Sequence, residues 1–422
     1  MRLLYALGIR LYGLLLRILA PFHAKAKLWV EGRKGLMQHI KQSVEPNEKH
    51  IWFHFASLGE FEQGRSVLEE IKNKFPKEKI VITFFSPSGY EIRKNTNLAD
   101  YVFYLPEDTA IHAQEFVHII NPKFAVFTKY EYWYHYFEEM GKLSIPIFMI
   151  SAIFRPDQIF FQAYGGFFRR ILSHVTFFFV QNEESVALLK SVGITQSAWA
   201  GDTRFDRVAE LPKTQRELPE IDAFIAGQKT FVAGSTWPSD EDLLVTWSQE
   251  FKDWKLILAP HEIDDAHIAG ILNNFPKALR FSAFRTYTAE EIQMAQVLII
   301  DNIGMLSFLY GYGQIAYIGG GFGAGIHNTL EAATYGMPVL FGPKYYKFQE
   351  AKELISEGAA YSVNDAEKLI RVFKALCQLD NLAHASAQAK DYVRKHAGAT
   401  AIIMKYLKNS NLLSDSTLQD DK

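Results

Sequence analysis

Ile315-Ala316-Tyr317-Ile318-Gly319-Gly320-Gly321-Phe322-Gly323-Ala324-Gly325-Ile326-His327-Asn328-Thr329-Leu330-Glu331 decides the architecture. A β-prone apolar run enters five glycines within seven positions, and a helical pattern running to Tyr335 opens behind them. Strand, glycine turn and helix in that order are the unit of a parallel sheet covered by helices. Glycines let a backbone approach a ligand closely, and a helix N-terminus favours an anion, which makes Gly320 and Gly321 a candidate phosphate loop. A tight turn that packs the helix on its sheet explains the same glycines. Asn328 and Glu331, one turn apart on one helix face, tilt the balance towards binding. No Gly-Lys-Ser/Thr closes the loop, so it is not a P-loop. Beyond it, Pro338–Phe341 reads as another strand, and Gly342-Pro343 turns into Lys344 and Lys347, available to an anion or merely solvated.

The same alternation extends through most of the chain. Candidate strands are Ile51–Phe55, Ile80–Phe84, Tyr101–Tyr104, Phe124–Phe127, Ile147–Ile150 and Thr176–Val180, then Phe231–Ala233, Lys255–Ala259 and Val297–Ile300. Between the two series lies a charged, strand-poor segment, 209–229, read as a linker. The expected organisation is therefore residues 1–30 as a basic, apolar helix, 31–208 as a first Rossmann-like domain, 230–408 as a second, and 409–422 as a frayed tail. Two doubly wound domains facing a cleft bind ligands beyond the carboxyl ends of their strands. The 422-residue length supports two such cores, and 48% apolar content excludes a disordered chain. A single cysteine, Cys377, excludes an internal disulfide and a Cys-rich zinc site. A net charge of −2 argues against a generic nucleic-acid binder.

That balance hides an asymmetry, because residues 1–45 hold eight Lys/Arg against Glu31 and Glu45, a net +6. From Leu3 to Phe22 nearly every residue is apolar, and Arg10, Gly13 and Arg17 recur on one narrow helical face. The charge-free runs are shorter than the roughly 18 residues of a bilayer span, and the arginines interrupt any signal-peptide core. The pattern fits an interfacial helix on anionic lipid, with Lys25, Lys27, Arg33 and Lys34 reinforcing it. The alternative is a helix packed on the protein's own core.

Three loops of the first half carry candidate chemistry. Ala56-Ser57-Leu58-Gly59-Glu60 ends the first strand, and a carboxylate at Glu60 could act as general base towards a hydroxyl. A first-turn glutamate also stabilises its helix without any catalytic duty. Ser86-Pro87-Ser88-Gly89 closes the second strand, and Lys129-Tyr130-Glu131-Tyr132-Trp133-Tyr134-His135-Tyr136 follows a third, its aromatics suited to sugars, lipids or the core. Asp240-Glu241-Asp242 has acidic spacing used for divalent cations, but Ser239 before it reads as an N-cap with the acids in a first helical turn. No His-Glu-x-x-His element, paired cysteines or Gly-x-Ser-x-Gly elbow is present.

Taken together, Gly32-Arg33-Lys34-Gly35, Ala56–Glu60, Ser86–Gly89, Gly201-Asp202-Thr203-Arg204-Phe205-Asp206, Gly319–Phe322, His327–Glu331 and Gly342-Pro343 resemble the 3-deoxy-D-manno-octulosonate (Kdo) transferases of lipopolysaccharide synthesis. The resemblance covers nearly the whole chain and implies the GT-B glycosyltransferase fold, with an N-terminal membrane-associated helix. It implies inverting, metal-independent transfer of Kdo from CMP-Kdo to a lipid A precursor, lipid IVA, with no cofactor. Glu60 falls on the catalytic base. The CMP site falls on Pro260, His261, Ile303, Gly304, Met305, Asn328, Thr329, Leu330 and Glu331, and the acceptor site on Ser57, Gly59, Ser86, Ser88 and Glu131. His261 stands where many members have Arg, Met305 where many have Glu, and of the usual Glu-Thr-Glu-x-Trp-Pro-Asn block only Glu131 and Trp133 remain. The implied partners are CMP-Kdo, the lipid acceptor and anionic inner-membrane lipid, with no nucleic acid. The implied location is the cytoplasmic face of the bacterial inner membrane, peripheral or N-terminally anchored. A GT-B enzyme using a nucleoside diphosphate sugar, or a non-catalytic membrane-surface binding protein, shares much of this pattern.

Overall fold

Apolar runs buried on both faces give two all-parallel sheets of seven strands each in the computed structural model, which describes residues 1–413. The first unit spans Met1–Arg207 and takes back the chain from Ala397, and the second spans Val208–His396. In the first unit the strands are β1 (His50–Phe55), β2 (Lys79–Phe84), β3 (Tyr101–Tyr104), β4 (Pro122–Thr128), β5 (Ile147–Ala152), β6 (Phe177–Val180) and β7 (Ser197–Trp199), in the order β3-β2-β1-β4-β5-β6-β7. In the second they are β8 (Thr230–Thr236), β9 (Lys255–Pro260), β10 (Leu279–Arg280), β11 (Val297–Ile299), β12 (Ile315–Ile318), β13 (Val339–Phe341) and β14 (Ala360–Ser362), in the order β10-β11-β9-β8-β12-β13-β14. Each order reverses direction once, between β1 and β4 and between β8 and β12, and such switch points open a crevice at the carboxyl ends of the strands.

The three strands absent from the sequence reading, β7, β10 and β14, sit at or beside sheet edges and have only two or three residues. Edge strands lack the doubly buried apolar run that marks a central parallel strand. The expected linker is instead folded into the second unit, where the helix Pro219–Ile225 buries Ile221 and Phe224. The expected boundary at 408 also moves, because the helix Ala399–Asn409 belongs to the first unit. Its Ile403, Met404 and Leu407 join the cluster of Phe53, Phe124 and Phe179 on one face of the first sheet. Of the expected tail, Leu413 is buried in the same cluster, and residues 414–422 lie outside the described residues.

The N-terminal segment forms two helices, α1 (Arg2–Leu19) and α2 (Ala24–Glu31), followed by α3 (Leu36–Ser43). No single helix among the described residues is long and apolar enough to cross a membrane, while α1 and α2 pass that test only as a pair bent by 119°. Tyr5, Gly13 and Arg17 of α1 meet the protein, whereas Arg10 of the expected polar stripe is exposed. Tyr5 donates to the buried Asp108, Arg17 pairs with Glu107, and Gly13 lies so close that an added Cβ would stand 2.8 Å from Glu107 Oε1. Leu3, Leu4, Leu7, Leu11, Leu14, Leu15 and Ile18 are exposed, up to 86% for Leu3. The apolar face is therefore not packed on the protein's own core.

Candidate active site

In the first unit the turn after β1 enters α4 (Leu58–Lys74) with Ser57 as N-cap and Glu60 in the first turn. Ser57 Oγ donates to Glu60 Oε2 at 3.3 Å. Burial, followed by the nearby Glu131 carboxylate, pushes Glu60 up to about 7, against the opposing pull of Ser57 and Lys129. A dipole-stabilising glutamate alone would not be desolvated in this way, and a carboxylate poised near neutral pH is suited to take a proton from a hydroxyl.

Glu131 is held by a network that starts in the sheet. Trp133 Nε1 donates to Glu131 Oε2 at 3.0 Å and approaches His54 Nε2 at 3.2 Å. His54 is fully buried, which favours its neutral form, and its Nδ1 meets Thr83 Oγ1 at 2.9 Å, where Trp52 Nε1 also donates at 2.8 Å. Lys129 turns the chain out of β4 with φ of 67°, in the left-handed region. Tyr132, Tyr134 and Tyr136, by contrast, pack against or within the core.

The second turn is α5 (Pro87–Arg93), capped by Ser86, whose Oγ accepts from Ser88 N at 3.3 Å and meets Ser88 Oγ at 3.0 Å. Gly89 allows α5 to lie on the β1 turn, since an added Cβ would stand 3.1 Å from the Ser57 carbonyl carbon and 2.3 Å from Phe84. Gly59 is exposed, with space around it. The five acceptor candidates thus lie on the loops after β1, β2 and β4, three neighbouring strands.

Gly201–Asp206 has a structural task in this unit. Asp202 accepts from Gln63 Nε2 on α4 at 2.9 Å, and Thr203 Oγ1 meets Ser151 Oγ at 2.7 Å. Asp206 accepts from the backbone N–H of Gly398 and Thr400, fastening the start of the helix Ala399–Asn409.

In the second unit the glycine loop differs from the expectation. Gly319 is pressed on Ser235 and Thr236, where an added Cβ would stand 2.2 Å from Ser235 O, and Gly321 meets the Gly342 backbone at 2.5 Å on the same test. Gly320 N donates to Asp240 Oδ2 at 2.9 Å, and Gly320 and Gly321 are buried. These glycines serve close backbone packing, and a carboxylate occupies the amide expected to meet phosphate. The helix behind them is also shorter than expected, running only from Leu330 to Ala333. Asn328 precedes it, accepting from Leu330 N at 3.0 Å and donating to Glu331 Oε1 at 3.0 Å. Asn328 is exposed and Glu331 partly so, whereas Thr329, Leu330 and Pro260 are buried and support the loops from within.

His261 stacks over two adjoining rings, Trp237 at 4.8 Å and His327 at 4.4 Å, each at 26°. Trp237 Nε1 donates to His327 Nε2 at 3.3 Å, and burial lowers the His327 pKa. This places a cluster of three rings beside the β8–β12 switch point. Ser235 bulges there with φ of 55°, between the Gly234–Ala259 and Thr236–Pro260 pairs of β8 and β9. Ile303 is 89% exposed, and Gly304 has φ of 91° before Met305, which caps the helix Leu306–Leu309. The N-cap of the helix Pro238–Glu250 is Trp237, not Ser239. Asp240 accepts from Trp237 N and Tyr317 Oη at 3.0 and 2.7 Å, and Glu241 meets His267 at 3.0 Å. Among the described residues no group of three or more His, Cys, Asp or Glu is placed to hold a metal ion.

Residues 30–207 match the family model of the 3-deoxy-D-manno-octulosonic-acid transferases, or kdotransferases. The 3-deoxy-D-manno-octulosonic acid transferase of Rickettsia felis is 25% identical over 379 residues, 87% of this chain and 78% of that protein. Its counterpart in Aquifex aeolicus is 28% identical over 340 residues, 78% and 86% of the two chains. The chain is thus similar to the Kdo transferases, over residues 30–207 in the family model and over most of its length in these relatives. The UDP-GlcNAc 2-epimerase of Neisseria meningitidis, solved bound to UDP-GlcNAc, matches with a TM-score of 0.60 at 14% identity, over 85% of this chain and 100% of that one. The epimerase of Methanocaldococcus jannaschii gives 0.52 at 15% identity, over 85% and 99%. Such likeness shows the fold alone, the GT-B architecture of two Rossmann-like units.

Within this fold, sequence reasoning missed Ser235, Trp237 and the joining of His261 to His327. The dipeptide Ser235-Thr236 at the end of a predicted strand was the available signal, since that is where α/β sheets place their ligands. The stack itself had none, because its three rings come from separate loops.

Proposed function

We propose that this chain is a Kdo transferase that moves Kdo from CMP-Kdo to a lipid A precursor, lipid IVA, in lipopolysaccharide synthesis, with inversion at the anomeric carbon and without a metal. The observation that carries the reading is Glu60, a first-turn carboxylate at the sheet switch point raised to about 7 by burial and by Glu131. Its carboxylate takes the proton of an acceptor hydroxyl while that oxygen attacks the anomeric carbon. The bond from that carbon to the phosphate oxygen breaks, and CMP leaves with the electron pair. Ser57, Gly59, Ser86, Ser88 and Glu131 line the acceptor side of this chemistry.

The second unit binds the donor. Asn328 and Glu331 offer an amide and a carboxylate to the ribose hydroxyls, and Ile303–Met305 offer an exposed backbone. Ser235 and the three clustered rings would meet the monophosphate, in place of the glycine amides. The exposed leucines of α1 and the basic surface after it hold the enzyme on anionic lipid at the cytoplasmic face of the inner membrane. Competition binding tests the donor assignment: CMP displaces a labelled donor and UDP does not. Displacement by UDP alone would turn the reading towards a nucleoside diphosphate sugar.

A further inference from the structure

Between α1, α2 and the start of α5 runs an open trough of about 320 Å³. Tyr12, Leu16 and Leu19 of α1 form one wall, Trp29 the floor, and Phe85 and Pro87 the inner wall. The aromatic part is fixed, with Tyr12 stacked on Phe85 and Trp29 edge-on to both at 6.0–6.1 Å. Beneath it the half-buried Arg33 guanidinium lies 3.9 Å from the Trp29 ring centroid and donates to the carbonyls of Leu105 and Phe85 at 3.0 and 2.9 Å. This cation braces α2 against the β2 turn, so the trough is a built feature of the first unit.

Three observations point to one occupant. The α1 wall continues outward into exposed Leu11, Leu15, Ile18 and Phe22, so an apolar chain enters it along an apolar surface. Lys25 lines the mouth, which suits an amphiphile with an anionic headgroup. The inner wall belongs to the turn whose Gly89 lies against Ser57, and the Phe85 ring is 4.9 Å from that of Trp133, the hydrogen-bond partner of Glu131. A chain in the trough therefore leaves its headgroup beside the loops that carry the base, a position of no use to a bulk lipid.

We infer that the trough holds one acyl chain of the acceptor glycolipid, an inference that rests on the proposed function. The test is photo-crosslinking of the full chain in phosphatidylglycerol-containing vesicles, using an acylated, phosphorylated glucosamine disaccharide with a diazirine in one acyl chain. Adducts are expected on Leu16, Leu19 or Phe85–Pro87, displaced by unlabelled glycolipid and not by added phosphatidylglycerol. Adducts confined to the outer leucines, or trough adducts that phosphatidylglycerol displaces equally well, would overturn the inference. Leu16→Trp fills the trough, and the KM for acylated acceptor should rise at least tenfold while that for a deacylated disaccharide and the melting temperature stay unchanged. An unchanged KM for acylated acceptor in the folded variant would count against the site. Trough adducts without Kdo transfer by the wild type would reject the enzymatic reading instead, and transfer without trough adducts would reject the site alone.

Discussion

As the proposed base, Glu60 acts only when ionised, and its environment sets where that happens. Below about pH 7 burial and the Glu131 charge keep it protonated, so kcat/KM should fall about tenfold per pH unit on the acid side, with a midpoint near 7. Glu131→Gln removes the neighbouring charge, so the midpoint should move to lower pH, read from the pH profile of transfer; a midpoint that stays in place would remove Glu131 from this role. Glu60 was legible in the sequence because a strand end followed by a small-residue turn is where such sheets keep their chemistry. Its raised pKa was not, because Glu131 lies on another loop, 71 residues away in the chain. The glycine loop misled for a related reason. Its composition fits phosphate binding and backbone packing alike, and only Asp240, from a distant helix, assigns Gly320 to packing.

At the scale of elements, α1 and the helix Ala399–Asn409 are fastened to the first unit in contrasting ways. The first is held through Tyr5, Gly13 and Arg17 and turns leucines outward. Replacing Leu11 and Leu15 by Glu removes roughly 1.5–3 kcal/mol of apolar burial per residue in lipid. Binding to anionic vesicles should then fall by more than tenfold in a flotation assay with little change in melting temperature; unchanged binding would exclude α1 as the anchor. The second is held by Asp206 at its N-terminus. Asp206→Ala should cost about 0.5–2 kcal/mol in chemical denaturation and raise hydrogen exchange over residues 399–409. Central strands were legible because they are buried on both faces, whereas β7, β10 and β14 gave too short a signal. Periodicity marks the amphipathic last helix as a helix, but it does not say which core receives it.

Across the whole molecule, chain order and architecture differ at one place, where residues from Ala397 onward return to the first unit. The near-neutral charge conceals a basic start, which α1 to α3 display as part of the first unit and which sets the salt dependence expected of membrane binding. Glu60, the loops after β1, β2 and β4 and the outward leucines of α1 all belong to that unit, and the three stacked rings and the exposed Ile303 loop to the other. The central claim, that this chain is a Kdo transferase acting through Glu60, is tested by incubating it with CMP-Kdo and lipid IVA in detergent micelles and following the acceptor by mass spectrometry. The account predicts Kdo-bearing product with the wild type and a rate about 10²–10⁴-fold lower with folded Glu60→Gln. No product with the wild type, or undiminished transfer by Glu60→Gln, would contradict it.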